Sequence, residues 1–270
     1  VASVCPTPTL MTWHGPYDDQ ITHLFATLSK PYLVSISDSQ RQKVPYLNFV
    51  GTVYNGLDMA SYPFSARDQG YLLYVGRIDP DKGVHFAMDT AIKLNRKLIL
   101  AAKLDNKIPH LKKYFQRYIK PRLEKYPHLL KWIGEVNEKQ RNTLMSHALC
   151  FLHPVTWQEP FGLTLIEAMA CGCPVVAFNN GSIPEIIKNG KTGYVVENLK
   201  EMVNAVKNIE KIKRIDCRNH SLQNFNSQKM AQGYEDVYYQ ILNRTKQQTQ
   251  FSSLPTSAVL TNHSQPTTNL

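Results

Sequence analysis

Two glutamates stand eight residues apart in the segment Glu159-Pro160-Phe161-Gly162-Leu163-Thr164-Leu165-Ile166-Glu167. A pair of carboxylates facing a cleft can accept strong hydrogen bonds from several hydroxyl groups of a sugar. Glu159 follows a short apolar run, at the position where ligands bind in open α/β sheets, and Glu167 falls inside the helix predicted to follow. Taken singly, each carboxylate is more often a solvated surface residue.

A second candidate segment is Gly76-Arg77-Ile78-Asp79-Pro80-Asp81-Lys82-Gly83, between a predicted strand and a predicted helix. Backbone amides and the helix dipole at such a turn favour an anion, and Arg77 and Lys82 add two cations. The spacing is neither Gly-x-Gly-x-x-Gly nor that of a P-loop, which weakens dinucleotide and ATPase interpretations. A plain turn with surface charges explains the isolated segment equally well.

Two further segments follow predicted strands. Asn180-Gly181-Ser182-Ile183-Pro184-Glu185 combines small residues with a helix start and is either a second anion cradle or a simple turn. His14 lies in Thr12-Trp13-His14-Gly15-Pro16, and by itself such a histidine is typical of a structural or surface position.

The elements that must position these residues follow an alternating pattern from Tyr71 to Glu210. Short β-branched runs alternate with helical stretches, which predicts β-α-β units, a parallel sheet and the α/β fold class. The predicted strands cover 71–75, 97–102, 129–133, 149–153, 174–178 and 194–196. Pro121 is expected to interrupt a helix over 110–126. Each candidate segment then begins where a strand ends.

The flanking regions differ from this central part. Strands at 9–13 and 32–36, with a helix over 19–28 between them, are typical of the end of another α/β domain, and 53–56 of a turn or linker. A helix over 228–243 has one apolar face and must dock. The Ser, Thr, Gln and Asn content of 245–270 predicts disorder.

Composition narrows the class of protein. The 270 residues, 43% of them apolar, can bury a sizeable core, but no apolar run approaches the roughly 18 residues of a spanning helix and the start does not resemble a signal peptide. Five cysteines without framework spacing favour reduced thiols in a cytoplasm. Cys171-Gly172-Cys173 has no accompanying His or Cys cluster, so no metal site is expected.

The formal charge of +10 favours a polyanionic partner: nucleic acid, an anionic membrane face or a phosphorylated small molecule. Basic residues concentrate at 103–131 and 207–218, as solvated helical faces or as a patch for the inner face of a membrane. No nucleic-acid-binding motif accompanies them, and no nucleic-acid partner is expected.

Taken in order, the three segments after strands closely resemble glycosyltransferase family 4, most specifically in 159–167 with Gly172-Cys173-Pro174-Val175-Val176. The resemblance covers Thr12 to Leu242 and implies the GT-B fold, two Rossmann-like domains facing each other across a cleft. It divides the chain into a partial amino-terminal domain (1–60), a nucleotide-sugar-binding domain (61–227), a helix crossing back (228–244) and a disordered tail (245–270).

The resemblance also implies roles for individual residues. Glu159 would bond the donor sugar, His14 would stand on the acceptor side, and Glu167 would bond the ribose. The donor diphosphate would be held by Gly76, Arg77 and Lys82 and by the backbone amides of Phe161, Gly162 and Leu163. Less specific matches place the base near Gly134-Glu135-Val136 and assign Ser37 and Arg41 to the phosphate side.

The implied reaction moves a sugar from a nucleoside-diphosphate sugar to an acceptor with retention at the anomeric carbon, without metal or other cofactor. Cations and helix dipoles would stabilise the leaving diphosphate, and front-side attack is preferred to a covalent glutamate. The family's amino-terminal glycine-rich loop has no counterpart before Thr12, so the first domain is expected to be incomplete. A nucleotide-sugar-binding module without turnover, or a phosphorylase or epimerase, remains an alternative, and the nucleotide, sugar, acceptor and oligomeric state stay open.

Overall fold

Two parallel sheets form the framework of the computed structural model, which describes residues 5, 7–28 and 31–252. The first sheet has the order β1-β2-β3, with strands β1 (Leu10–Thr12), β2 (Tyr32–Ser35) and β3 (Phe49–Thr52). Helix α1 (Asp19–Thr27) joins the first two strands, and the short helix α2 (Asp38–Gln42) follows the second. The parallel pairing confirms the expected α/β class.

The second sheet has six strands in the order β6-β5-β4-β7-β8-β9, all parallel. Its strands are β4 (Leu72–Arg77), β5 (Leu98–Lys103), β6 (Leu130–Trp132), β7 (Cys150–His153), β8 (Val175–Phe178) and β9 (Gly193–Val196). The helices are α3 (Val84–Leu94), α4 (Pro109–Tyr114), α5 (Lys120–Lys125), α6 (Glu138–His147), α7 (Leu163–Ala170), α8 (Ile183–Ile186), α9 (Leu199–Lys207) and α10 (Arg214–Asn224).

The order of this second sheet decides where a site can form. Strand β4 pairs with β5 on one side and with β7 on the other. Successive strands are therefore added toward one edge of the sheet up to β6 and toward the other edge from β7 onward. Ligands of open α/β sheets bind beyond the strand ends at such a switch point. The loops that follow β4 and β7 carry the segments 76–83 and 154–162, which therefore meet at one edge.

Gly83 holds these two loops in contact. Its φ is +65°, and a Cβ atom there would lie 1.9 Å from the carbonyl oxygen of Pro154. The same contact includes a hydrogen bond from Thr156 N to Asp81 O of 2.9 Å. Only glycine fits both the left-handed backbone and the close approach.

Helix α11 (Ser227–Ser252) returns to the first sheet after the second is complete. Its Val237 and Ile241 share a buried cluster with Val34 and Val53, and Tyr234 lies 3.0 Å from Thr12 through their hydroxyl oxygens. The helix continues to Ser252, eight residues past the predicted limit at 244, and the remainder of the predicted disordered tail, 253–270, lies outside the described residues.

The predicted elements of the second sheet differ from the observed ones by a few residues at their ends. Asn137 accepts from Gln140 N and caps α6. Pro121 does not end the helix, which runs on from Pro109 to Lys125. A π-helical turn at Phe115–Ile119 directly precedes α5, so the regular hydrogen-bond pattern is interrupted just before the proline.

Helix α10 was not predicted, because its buried side is largely polar. Its arginines bond backbone carbonyls: Arg214 donates to Ala148 O and Ser146 O at 2.7 Å each, and Arg218 donates to Tyr62 O at 2.8 Å. These two arginines of the 207–218 concentration are therefore engaged within the fold. Across residues 5, 7–28 and 31–252, the helices are too short or too polar to cross a bilayer.

Candidate active site

A cleft of about 580 Å³ opens between the two sheets at the switch point of the second. Nine of the predicted site residues line this cleft: His14, Gly76, Arg77, Lys82, Val136, Glu159, Phe161, Gly162 and Leu163. Ser37, Arg41 and Glu167 are not among its lining residues. The cleft thus brings together the segments at the strand ends of the second sheet and His14 of the first sheet's part of the molecule. The parts of the molecule built around the first and second sheets are called the first half and the second half.

Glu159 has the densest set of contacts in the cleft. Its Oε2 lies 3.2 Å from Lys82 Nζ and accepts a 3.0 Å hydrogen bond from Trp157 Nε1. Lys82 Nζ also lies 4.1 Å from the centroid of the Trp157 ring. Because both donors reach the same oxygen, the carboxylate is held in one orientation while its other oxygen is left for a ligand.

Burial favours the protonated form of Glu159, but His153 and Lys82 outweigh it and hold the pKa of the carboxyl well below its usual range. Burial also lowers the pKa of His153, which keeps that imidazole neutral at pH 7. His153 Nε2 is 3.7 Å from Glu159 Oε2, beyond hydrogen-bond distance. We therefore assign the lowering chiefly to Lys82, and Glu159 is ionised at neutral pH.

The loop that carries Glu159 is held from behind by the segment 180–185. Ser182 N and Ser182 Oγ donate to the carbonyl oxygen of Glu159 at 2.9 and 3.0 Å, and the same hydroxyl approaches Phe161 O at 2.9 Å. Gly181 has a φ of +63°, and a Cβ atom there would lie 2.3 Å from Glu159 O. The predicted second anion cradle is thus a support for the Glu159 loop.

Gly181→Ala is expected to destabilise the fold by about 2 kcal/mol more than Gly190→Ala. Both glycines have positive φ, +63° and +76°, but Gly190 has no atom within 4 Å of an added Cβ. The difference between the two variants therefore isolates the clash with Glu159 from the backbone cost. Denaturant unfolding measures both, and equal destabilisation would contradict the tight support of the loop.

Helix α7 directs its amino terminus into the cleft. Its first residue follows Gly162, which has a φ of +85° and provides no side-chain cap. The N–H groups of a first helical turn have no partner within the helix, and the helix dipole adds partial positive charge there. The backbone at Phe161, Gly162 and Leu163 is therefore suited to an anion beside Glu159.

Arg77 and Lys82 differ in how freely they can move. The Arg77 side chain is 62% exposed and has one ion pair among the described residues, 3.9 Å from Asp79. The Lys82 side chain is 19% exposed and fixed between Glu159 and Trp157. A ligand phosphate would therefore meet one preorganised cation and one that can close on it.

Glu167 is buried on α7 behind the cleft wall. Its Oε1 pairs with Arg141 at 2.9 Å, while its Oε2 has no hydrogen-bond partner among the described residues. Burial raises the pKa of Glu167, and Arg141 opposes the shift. Arg141 itself lines the cleft. It therefore lies between the open space and Glu167, the residue predicted to bind the ribose.

Ser37 and Arg41, matched to the phosphate side, have other partners here. Ser37 Oγ donates to Pro160 O at 2.7 Å and accepts from Gln40 N at 3.0 Å as the cap of α2. Arg41 pairs with Asp38 at 3.2 Å. In the described structure, Ser37 connects the first half to the loop that carries Glu159. Arg41 forms its ion pair with a residue of the same helix, α2.

The residues that line the cleft without having been singled out from the sequence include Asn55, Arg141, His153 and Trp157. His153 is the last residue of β7, and Trp157 is two residues before Glu159, so position after a strand was a usable signal for both. Arg141 lies on a helix and Asn55 between the sheets, where no local pattern marked them.

Comparison with known proteins agrees with this geometry. The family model described as Glycosyl transferases group 1 matches residues 63–228. The chain belongs to this family, and its fold is of the GT-B type.

Among curated relatives, glycogen synthase of Mycobacterium tuberculosis is 29% identical over 195 residues, covering 68% of this chain and 40% of that protein. N-acetyl-alpha-D-glucosaminyl L-malate synthase of Bacillus anthracis is 35% identical over 97 residues, covering 33% of this chain and 26% of that protein. The chain therefore spans less than half the length of these two relatives.

Solved structures resemble the fold. AviGT4, a glycosyltransferase involved in avilamycin A biosynthesis, superimposes with a TM-score of 0.66 at 23% identity, covering 78% of this chain and 63% of that one. HepE of Anabaena, solved in complex with UDP and glucose, gives a TM-score of 0.73 at 18% identity, covering 86% of this chain and 72% of that one.

Proposed function

We propose that the chain transfers a sugar from a nucleoside-diphosphate sugar to an acceptor hydroxyl, with retention of anomeric configuration and without a metal. The observation that carries the proposal is the placement of Glu159, Lys82 and Arg77 at the uncapped start of α7, with His14 on the facing half. A carboxylate for hydroxyl groups lies beside cations and backbone amides for a diphosphate. The family and the UDP-bound relative support the same donor class.

The proposed reaction breaks the bond between C1 of the sugar and the departing phosphate oxygen. The acceptor oxygen bonds to C1 on the same face, and its proton passes to the phosphate oxygen that leaves. Lys82, Arg77 and the amides of α7 stabilise the charge that develops on the diphosphate. Glu159 holds donor hydroxyls, His14 contacts the acceptor side, and Glu167 acts at the ribose through or beside Arg141.

The proposed setting is a reducing cytoplasm, with the charge of +10 placing the chain near an anionic membrane face. The five cysteines carry no disulfide, and four of them are buried. Peripheral contact would bring the cleft to a lipid-borne acceptor, whereas a soluble glycan or small molecule needs no such contact.

A panel of nucleoside-diphosphate sugars and acceptors tests the reaction. We expect release of the nucleoside diphosphate to depend on the acceptor, to persist in EDTA and to give a product with the donor's anomeric coupling constant in NMR. Inversion would contradict the proposed geometry. Calorimetric binding of the donor without transfer or hydrolysis would instead select the binding-module alternative.

A further inference from the structure

The segment Ser182–Glu185 contacts both halves of the molecule. Ser182 holds the carbonyl oxygen of Glu159, as described above, while Glu185 reaches across to the first half. Its Oε2 accepts from Asp38 N at 2.8 Å and its Oε1 from Ser39 N at 2.7 Å. Tyr54, between the two sheets, donates a third hydrogen bond of 2.9 Å to Oε2. One carboxylate thus joins α8, α2 and the segment after β3 that connects the two sheets.

Helix α2 extends this connection to His14. Gln40 Nε2 donates to the carbonyl oxygens of Trp13 and Gly15, both at 2.8 Å, and these are the two neighbours of His14 in the chain. Gln40 Oε1 accepts from Ile36 N at 2.9 Å, so the amide is fixed at both ends. The backbone on either side of the histidine is therefore anchored to the helix that Glu185 holds.

A carboxylate suits this junction better than any other side chain. The three groups that face Glu185 are all donors, two backbone N–H groups and one phenol, and a carboxylate is an acceptor at both oxygens. A glutamine would turn an NH₂ group toward one of the donors. Burial and the hydrogen bond to Glu185 raise the pKa of Tyr54, which keeps the phenol protonated as a donor.

We propose that Glu185 is a positioning residue for the transfer reaction: it fixes His14 of the first half relative to Glu159 of the second. The proposal rests on the proposed function. It assigns one task to the whole segment, with Ser182 fixing the donor carboxylate and Glu185 fixing the acceptor-side histidine. Because the diphosphate site proposed above, with Arg77, Lys82 and the start of α7, lies on the second half alone, Glu185 is expected to act on turnover and to leave diphosphate binding unchanged.

The first experiment separates turnover from binding. Glu185→Gln is expected to lower kcat about tenfold, with KM for the donor and Kd for the nucleoside diphosphate within about twofold. Glu210→Gln, at an exposed carboxylate, is the matched control and is expected to change none of these. Tyr54→Phe removes one of the three donors and gives a smaller loss of the same kind, which also covers the case in which Glu185→Gln does not fold.

A double-mutant cycle tests the route through His14. In a His14→Ala background, Glu185→Gln is expected to lower kcat by less than about twofold further, because the residue it positions is gone. A tenfold further loss would overturn the route. A rise in Kd that parallels the fall in kcat in the single variant would also overturn it, since loss of both indicates general disruption.

The distance between the two halves can be measured without turnover, and it tests the role of Glu185 independently of the proposed function. Spin labels at Tyr46→Cys and Lys113→Cys, both exposed positions in different halves, report the distance between the halves after Cys5→Ser. We expect Glu185→Gln to broaden the distance distribution and Glu210→Gln to leave it narrow. If the parent chain transfers no sugar, the proposed function fails, and these distances still decide whether Glu185 fixes the halves. An unchanged distribution would overturn the inference.

Discussion

Glu159→Gln is expected to lower the rate of sugar transfer by about 100-fold while the affinity for a nucleoside diphosphate stays within about threefold. The substitution keeps the size of the side chain and removes the negative charge that strengthens hydrogen bonds from the hydroxyl groups of the donor sugar. Lys82, released from its 3.2 Å contact with Glu159, can still reach a phosphate, so diphosphate binding is preserved or slightly strengthened. Steady-state rates and calorimetric titration of the diphosphate measure the two effects separately.

The matched control for this variant is Glu210→Gln, which removes the same charge from an exposed carboxylate outside the cleft lining. We expect it to leave the transfer rate largely unchanged. An equal loss of transfer and of diphosphate affinity in Glu159→Gln would remove Glu159 from the sugar subsite. A trapped glycosyl adduct on Glu159 would replace front-side attack by a covalent route.

Arg77→Ala is expected to weaken diphosphate binding and transfer together, each by about 10- to 100-fold, which is the value of one charge-assisted contact. The side chain is largely exposed and its described ion pair with Asp79 is long, so its removal costs the fold little. Because the contact is present in both the ground and transition states, it appears in Kd as well as in kcat/KM.

Arg67→Ala gives the charge-matched control for Arg77→Ala. Arg67 is exposed, and the same loss of one positive charge occurs outside the cleft lining. A comparable weakening in both variants would assign the effect to the net charge of the molecule and not to a phosphate contact. Unchanged diphosphate affinity in Arg77→Ala would remove Arg77 from the diphosphate subsite.

The sequence predicted the fold class and most of the cleft for the same physical reason. Carboxyl ends of parallel strands share one edge of a sheet, so any polar segment that follows a strand is brought to that edge. Arg77 at the end of β4 and Glu159 in the loop after β7 converge in this way although they are 82 positions apart in the sequence. The roles assigned to these residues stay predictions.

The parts that sequence reasoning missed depend on contacts between elements. Glu185 ends a segment that was singled out only as an anion cradle or a turn, and Gln40 lies in a short helix without a marked pattern. The contacts by which both connect the halves exist only once the two sheets face each other. Arg141 was hidden in a polar helix, and it meets Glu167 through the packing of α6 against α7. Helix α10 was missed because hydrogen bonds to backbone carbonyls replace the apolar periodicity that reveals a helix.

The return of α11 to the first sheet has a consequence for how the chain folds during synthesis. Val34 and Val53 emerge early, but their partners Val237 and Ile241 emerge about 200 residues later. Until then that face of the first sheet is exposed, and contacts of such long sequence separation form slowly. The second sheet, in which every pairing except that of β4 with β7 joins consecutive strands, can fold first and present a surface for the early segment. Loss of α11 would therefore leave a folded second half joined to an open, aggregation-prone first half.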